Sequence, residues 1–207
     1  MRPHYRLTRT FLLRLFQGLF GLRIEGGERV PIEGPLIICP NHGSYWDPPL
    51  IGVATPREIY YVAKEELFTT YSWFGWLIRK YNAIPIRRET GGLGAIRTTL
   101  DLLKQGKAVV IFPEGTRNKT GSVLLPLKAG AAIVAQMSGA PILPAYIKNN
   151  RRGMGFWMLR WGSPVVRFGN LLDPKDFPRD KKGTRLTEAL EREMRKIAAA
   201  LGVKDRS

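Results

Sequence analysis

Short apolar runs alternate with longer stretches of helical period along most of the chain. Leu36-Ile37-Ile38-Cys39, Glu58 to Ala63, Ala83 to Ile86, Ala108-Val109-Val110-Ile111-Phe112, Pro141 to Ile147 and Val165 to Phe168 are four to seven residues long and bounded by Pro, Gly or charged residues, the signature of strands. Between and around them, Tyr5 to Leu22, Pro48 to about Val53, Leu67 to Tyr81, Gly94 to Gln105, Lys128 to Ser138 and Thr184 to Leu201 read as helices, the fourth ended by Gly106. Near-continuous apolar strands separated by helices predict an α/β fold: a single domain with a largely parallel central sheet flanked by helices. In such a sheet, ligands sit at the carboxyl ends of the strands.

The first helix has two unlike sides. At about 100° per residue, Arg2, Arg6, Arg9, Thr10, Arg14 and Gln17 share one side, and Leu7, Phe11, Leu12, Leu15, Phe16 and Leu19 the other. An Arg-faced, aromatic-rich helix without acids suits the plane of an anionic membrane interface, and packing against the domain accounts for the same pattern. The expected division is an N-terminal amphipathic interfacial helix over 1–24 and the α/β domain over 25–207. Residues 71–80 and 151–158 also mix Trp, Phe and Tyr or Met with cations, the composition of shallow interfacial contacts.

Composition narrows the partners. The 207 residues carry 33 Lys and Arg against 17 Asp and Glu, a formal charge of +16, which favours phosphates and anionic surfaces. The basic residues are spread along the whole chain and no recognised nucleic-acid motif accompanies them, so nucleic acid is not the expected partner. The single Cys39 excludes an internal disulfide, and one thiol with two distant histidines offers no metal cluster. No apolar run approaches the roughly 20 residues that span a bilayer, so the expectation is a peripheral protein facing the cytosol.

The densest chemistry lies in Asn41-His42-Gly43-Ser44-Tyr45-Trp46-Asp47-Pro48. Imidazole takes a proton from a hydroxyl near neutral pH, and a carboxylate beside it fixes the tautomer and stabilises the imidazolium. Residues five apart diverge by roughly 140° on a helix, so His42 and Asp47 meet only if the chain bends, which Gly43 and Ser44 permit. Asp47-Pro48 equally reads as an N-cap and a first helical residue, and a surface histidine with a capping aspartate is the alternative at this point.

Later strands lead into further candidates. Phe112-Pro113-Glu114-Gly115-Thr116-Arg117 leaves the strongest strand with a carboxylate, a glycine, a hydroxyl and a guanidinium in succession, a composition suited to an anion. Ile86-Arg87-Arg88 places two guanidinium groups after another strand, and Ile142-Leu143-Pro144 reads as core or pocket wall. Cys39 is near His42 but falls inside an apolar run and reads as core.

Taken together, these segments resemble the bacterial glycerophospholipid acyltransferase family, in four motifs and in the family's order. Asn41-His42 with Asp47 matches the first block, Ile86-Arg87-Arg88 the second, Phe112 to Arg117 the third and Ile142-Leu143-Pro144 the fourth. Lys64 and Lys128 resemble basic positions of that family. Arg87 departs from it, since many relatives carry an acidic or neutral residue there, and a different acceptor headgroup is one reading of the extra cation.

The resemblance implies an acyltransferase with His42 as base and Asp47 as its orienting carboxylate. It implies a substrate site comprising Arg88, Glu114, Gly115, Thr116 and Arg117, with Lys64 and Arg87 beside it. Backbone amides around Gly43 or Gly115 are the expected oxyanion donors. The implied reaction moves a fatty acyl group from an acyl thioester, acyl-CoA or acyl carrier protein, to the sn-2 hydroxyl of 1-acylglycerol 3-phosphate (lysophosphatidic acid). It needs no bound cofactor and no metal, and it takes place at an anionic membrane on the cytoplasmic face. Two other readings stay open: the same chemistry on another lysophospholipid or a lyso-aminolipid, and a non-enzymatic basic module that binds membranes or nucleic acid.

Overall fold

The computed structural model describes residues 1–69, 72–86, 93–148 and 162–205. Among the described residues, seven strands form one sheet: β1 (Arg23–Glu25), β2 (Leu36–Pro40), β3 (Ile59–Lys64), β4 (Ala83–Ile86), β5 (Ala108–Val110), β6 (Ile142–Lys148) and β7 (Val165–Phe168), in the order β1-β7-β6-β2-β5-β3-β4. Among the described residues, β6–β7 is the only antiparallel pairing between these strands. The largely parallel sheet expected from the apolar runs is therefore present, and β2 lies at its centre.

Alternation along each strand divides the core into two layers. Ile37 and Cys39 of β2, Val109 of β5 and Ile142 of β6 join one cluster, while Leu36 and Ile38, Ala108 and Val110, and Leu143 and Ala145 join the other. Successive side chains of a strand point to opposite faces, so a strand covered on both sides must be apolar throughout. All five residues of β2 are buried, and each large side chain so placed contributes about 1.5–3 kcal/mol. Helices α1 (Pro3–Phe20) and α2 (Asp47–Ala54) cover one face, through Phe16, Phe20, Leu50 and Ile51. On the other lie α5 (Leu93–Lys104), α6 (Gly130–Ser138) and α7 (Thr184–Ala200), through Leu102, Ala131, Leu186 and Met194.

Several boundaries differ from the pattern-based expectation. The helix expected over Leu67 to Tyr81 is two, α3 (Glu66–Thr69) and α4 (Ser72–Lys80). Strand β5 ends at Val110 because Phe112 enters a turn closed by the Gly115 amide on the Phe112 carbonyl at 3.0 Å. Helix α6 begins at Gly130, as the Lys128 amide is drawn to the Pro113 carbonyl at 2.8 Å. The three-residue edge strand β1 was not anticipated, being too short and too polar to stand out, and it crosses residue 24, where the interfacial helix was expected to end.

The apolar side of α1 is divided. Phe16 is buried together with Tyr5 and Phe20, and Leu12 packs against the core, while Leu7 (70% exposed), Phe11 (65%), Leu15 (39%) and Leu19 (43%) form a solvent-facing stripe at i, i+4 spacing. Polar contacts fix the helix on the domain: Arg2 pairs with Glu58, and the Arg9 Nε donates to the Thr55 carbonyl at 2.6 Å. Two of the arginines expected on a free cationic side are thus engaged by the domain. Among the described residues, no helix is long and apolar enough to cross a membrane.

Candidate active site

Parallel strands β2 and β5 are neighbours, with Ile38 opposite Val110, so the loops that follow them leave the same edge of the sheet side by side. This adjacency brings the His42 segment and the Phe112–Arg117 segment together although they lie some 70 residues apart. Asn41 extends the pairing of β2 with β6 by side chain: its Oδ1 accepts from the Ile147 amide at 2.6 Å and its Nδ2 donates to the Ile147 carbonyl at 3.3 Å. The residue before the histidine is thereby locked to the sheet.

The chain then bends, and His42 Nδ1 lies 2.8 Å from Asp47 Oδ2. The same oxygen accepts from the Gly43 amide at 2.7 Å and the Ser44 amide at 2.8 Å. Asp47 is fully buried, whereas the His42 side chain remains 20% exposed. An N-cap role was open for Asp47. Instead it is the first residue of α2 and turns its carboxylate back onto the preceding loop, while Trp46 takes the cap position without a side-chain bond. A carboxylate on Nδ1 holds the proton there and leaves Nε2 as the basic nitrogen. One face of the imidazole is stacked on Phe112, with ring centroids 4.2 Å apart and planes 28° apart.

Glu114 braces the loops from within. Its Oε1 accepts from the His42 amide at 2.7 Å and its Oε2 from the Leu125 amide at 2.9 Å, and the residue is 2% exposed. Burial pushes its carboxyl above the usual glutamate value, against the opposing pull of those two amides and of the Asn118 side chain. The Asn118 amide completes the junction by donating to the His42 carbonyl at 2.6 Å. Glu114 was expected on the substrate. Its two oxygens are instead committed to backbone amides, and its neighbourhood is interior.

Gly115 adopts φ +67°, a backbone conformation that favours glycine, and the far end of the Lys128 side chain crosses within 2.8 Å of where a Cβ would stand. Thr116 is exposed and Arg117 partly so. The Arg117 guanidinium carbon lies 3.6 Å from the centroid of the Tyr45 ring, on the His42 loop. The amides of Gly43 and Gly115 themselves are engaged, by Asp47 and by the Phe112 carbonyl. Cys39 is fully buried, and burial pushes its thiol pKa strongly upward, as befits a core residue.

Lys64 closes β3 at the same sheet edge, although its side chain lies outside the described residues. Arg87 and Arg88 follow the end of β4 and lie outside the described residues, as does the aromatic stretch 151–158. In the sequence, Phe112 and Tyr45 carry no functional signal as individual side chains. The stacks they form cross between two loops, and only the side-by-side position of β2 and β5 reveals them. Among the described residues, no group of three or more His, Cys, Asp or Glu is placed to hold a metal ion.

The family model described as "Acyltransferase" matches residues 21–148, a span that holds every described residue of the site. The 1-acyl-sn-glycerol-3-phosphate acyltransferase of Bacillus subtilis (strain 168) is 33% identical over 181 residues, which cover 86% of this chain and 88% of that protein. The protein of the same name from Streptococcus pneumoniae is 36% identical over 180 residues, 84% of this chain and 65% of its own length. In fold, the chain matches the crystal structure of the 1-acyl-sn-glycerophosphate (LPA) acyltransferase from Thermotoga maritima with a TM-score of 0.71, covering 100% of this chain and 86% of the other at 24% identity.

Proposed function

Because this chain belongs to the acyltransferase family, we propose that it transfers a fatty acyl group from an acyl thioester to the sn-2 hydroxyl of 1-acylglycerol 3-phosphate, giving phosphatidic acid. The observation that carries the proposal is the His42–Asp47 pair, 2.8 Å apart and partly open to solvent, beside a loop that presents Arg117. A base and a phosphate-binding cation on neighbouring loops suit one acceptor that carries both a hydroxyl and a phosphate.

In this reading, His42 Nε2 removes the hydroxyl proton as the acceptor oxygen attacks the thioester carbonyl, and Asp47 stabilises the imidazolium. The tetrahedral intermediate collapses with cleavage of the carbon–sulfur bond, and the proton on His42 passes to the departing thiolate. Carrier thiol and acylated acceptor are the products, and no acyl-enzyme forms. Arg117, with Arg88, Arg87 and Lys64, binds the acceptor phosphate; Thr116 adds a hydroxyl, and the Gly115 turn lets the substrate approach. Glu114 serves the substrate site by holding the backbone of His42. The donor is acyl-CoA or acyl carrier protein.

The exposed stripe Leu7, Phe11, Leu15 and Leu19, beside the exposed cations Arg6 and Arg14, supports peripheral binding to an anionic membrane on the cytoplasmic face. The test is acyl transfer by purified protein from acyl-CoA and from acyl carrier protein to a panel of lysolipids. Phosphatidic acid as the main product is expected. Transfer confined to another lysophospholipid or a lyso-aminolipid would overturn the acceptor assignment, and transfer to none would overturn the enzymatic reading.

A further inference from the structure

We propose that Tyr45 is a positioning residue for the acyl acceptor: its ring is the platform that sets the plane of the Arg117 guanidinium and so the affinity for the acceptor phosphate. The inference rests on the reading of Arg117 as a phosphate ligand.

Tyr45 is 72% exposed, so core packing does not explain a large aromatic at this position. Its ring face is occupied by Arg117 at 3.6 Å, well inside the roughly 6 Å reach of a cation–π contact. Among the described residues Arg117 has no acidic partner. An acid would consume the guanidinium N–H groups, whereas a ring beneath the plane restrains the side chain and leaves those donors pointing outward at its edge. An unrestrained arginine loses rotamer freedom when it binds an anion, and this stack removes part of that freedom before the phosphate arrives.

Placement adds a second argument. Tyr45 stands between His42 and Asp47 in sequence, so the ring that orients the cation rides on the loop that holds the base. The His42–Phe112 stack runs between the same two loops at 4.2 Å. Two reciprocal stacks thus fix the separation between the group that meets the hydroxyl and the group that meets the phosphate, and a single acceptor must span that separation. An aromatic ring at position 45 accordingly acts on recognition of phosphorylated acceptors, not on the acyl donor.

The experiment compares Tyr45→Ala, Tyr45→Phe, Arg117→Ala and the double Tyr45→Ala/Arg117→Ala variant. The acceptor is a short-chain 1-acylglycerol 3-phosphate below its micelle concentration, which removes any contribution of the ring to bilayer contact, and unfolding midpoints check the fold. Tyr45→Ala is expected to raise the acceptor KM about 2- to 5-fold, with kcat and the donor KM changing less. Tyr45→Phe should restore the affinity, and the double variant should have the KM of Arg117→Ala alone. An unchanged acceptor KM in Tyr45→Ala, a Phe variant as impaired as the Ala variant, or additive effects in the double variant would overturn the Tyr45 proposal while Arg117→Ala still raised KM. If Arg117→Ala left the acceptor KM unchanged, the phosphate-ligand reading itself would fall.

Discussion

His42 faces a carboxylate around which its own loop has folded: Asp47 Oδ2 takes the imidazole Nδ1 at 2.8 Å while the amides of Gly43 and Ser44 converge on the same oxygen. The aspartate therefore shapes the loop and orients the base with one atom. His42→Ala should lower acyl transfer by about 10²- to 10⁴-fold, with only a modest fall in the unfolding midpoint, since Asp47 keeps both of its backbone amide donors. Asp47→Asn should match that loss and destabilise the fold more than His42→Ala does, by about 1–3 kcal/mol, because a buried acceptor on two backbone amides loses its charge. Kinetics and denaturant unfolding of both variants separate the two roles. An Asp47→Asn protein of wild-type stability would remove the loop-shaping role.

Glu114 gives stability a pH dependence of defined sign. Burial raises its folded pKa, so across the interval between the ordinary carboxylate value and its own, the folded chain holds a proton that the unfolded chain has released. Stability therefore falls as pH rises through that interval and levels off above it. Glu114→Gln removes this slope and sets an amide NH₂ against one of the two backbone donors, at a cost of about 1–3 kcal/mol. The cost relative to wild type should be greatest at the acidic end and shrink as pH rises. Denaturant unfolding of both proteins over a pH series measures it, and parallel curves would sink the assignment.

Much of this architecture was legible because the strands are buried on both faces and must be apolar without interruption, as Leu36 to Cys39 and Ile142 to Ile147 are. The His42–Asp47 pair was legible because glycine and serine between them permit the bend. Glu114 was harder to read: a carboxylate three residues before an arginine, in a segment suited to an anion, reads as part of the substrate site, and its burial depends on Leu125 and Asn118, which close over it. Tyr45 and Phe112 carry no local signal, since their partners lie on another loop. The split of the α1 apolar side follows from where α2 lies against it, a tertiary fact that helical periodicity does not contain.

Cys39 tests whether proximity in sequence to the base means anything. It is fully buried in the central strand, on the face covered by α5, α6 and α7, with its thiol pKa pushed strongly upward. Cys39→Ala should leave kcat and KM near wild type and cost on the order of 1 kcal/mol of stability for the lost buried volume. Thiol alkylation of the folded protein should be slow and leave activity unchanged. Loss of transfer in the Ala variant, at preserved stability, would point to a covalent acyl-cysteine route instead.

Removing α1 altogether would not test membrane contact cleanly, because Phe16 and Phe20 of that helix are buried in the domain core and Arg2 and Arg9 anchor it. The exposed stripe offers a separable handle. Replacing Leu7, Phe11, Leu15 and Leu19 with Ser removes apolar side chains that face solvent, so stability should change by about 1–2 kcal/mol at most, from helix propensity. Flotation with anionic liposomes should fall at least 10-fold if these four side chains insert, since even partial burial in the interface at about 25 cal/mol per Å² supplies more than the 1.4 kcal/mol that a tenfold change requires. Transfer to a soluble short-chain acceptor should persist. A reciprocal variant, Arg6→Glu with Arg14→Glu, should weaken flotation with anionic but not neutral vesicles, because it changes the charge beside the stripe and leaves the stripe intact. Unaltered flotation in both variants would assign membrane contact to another surface of the domain.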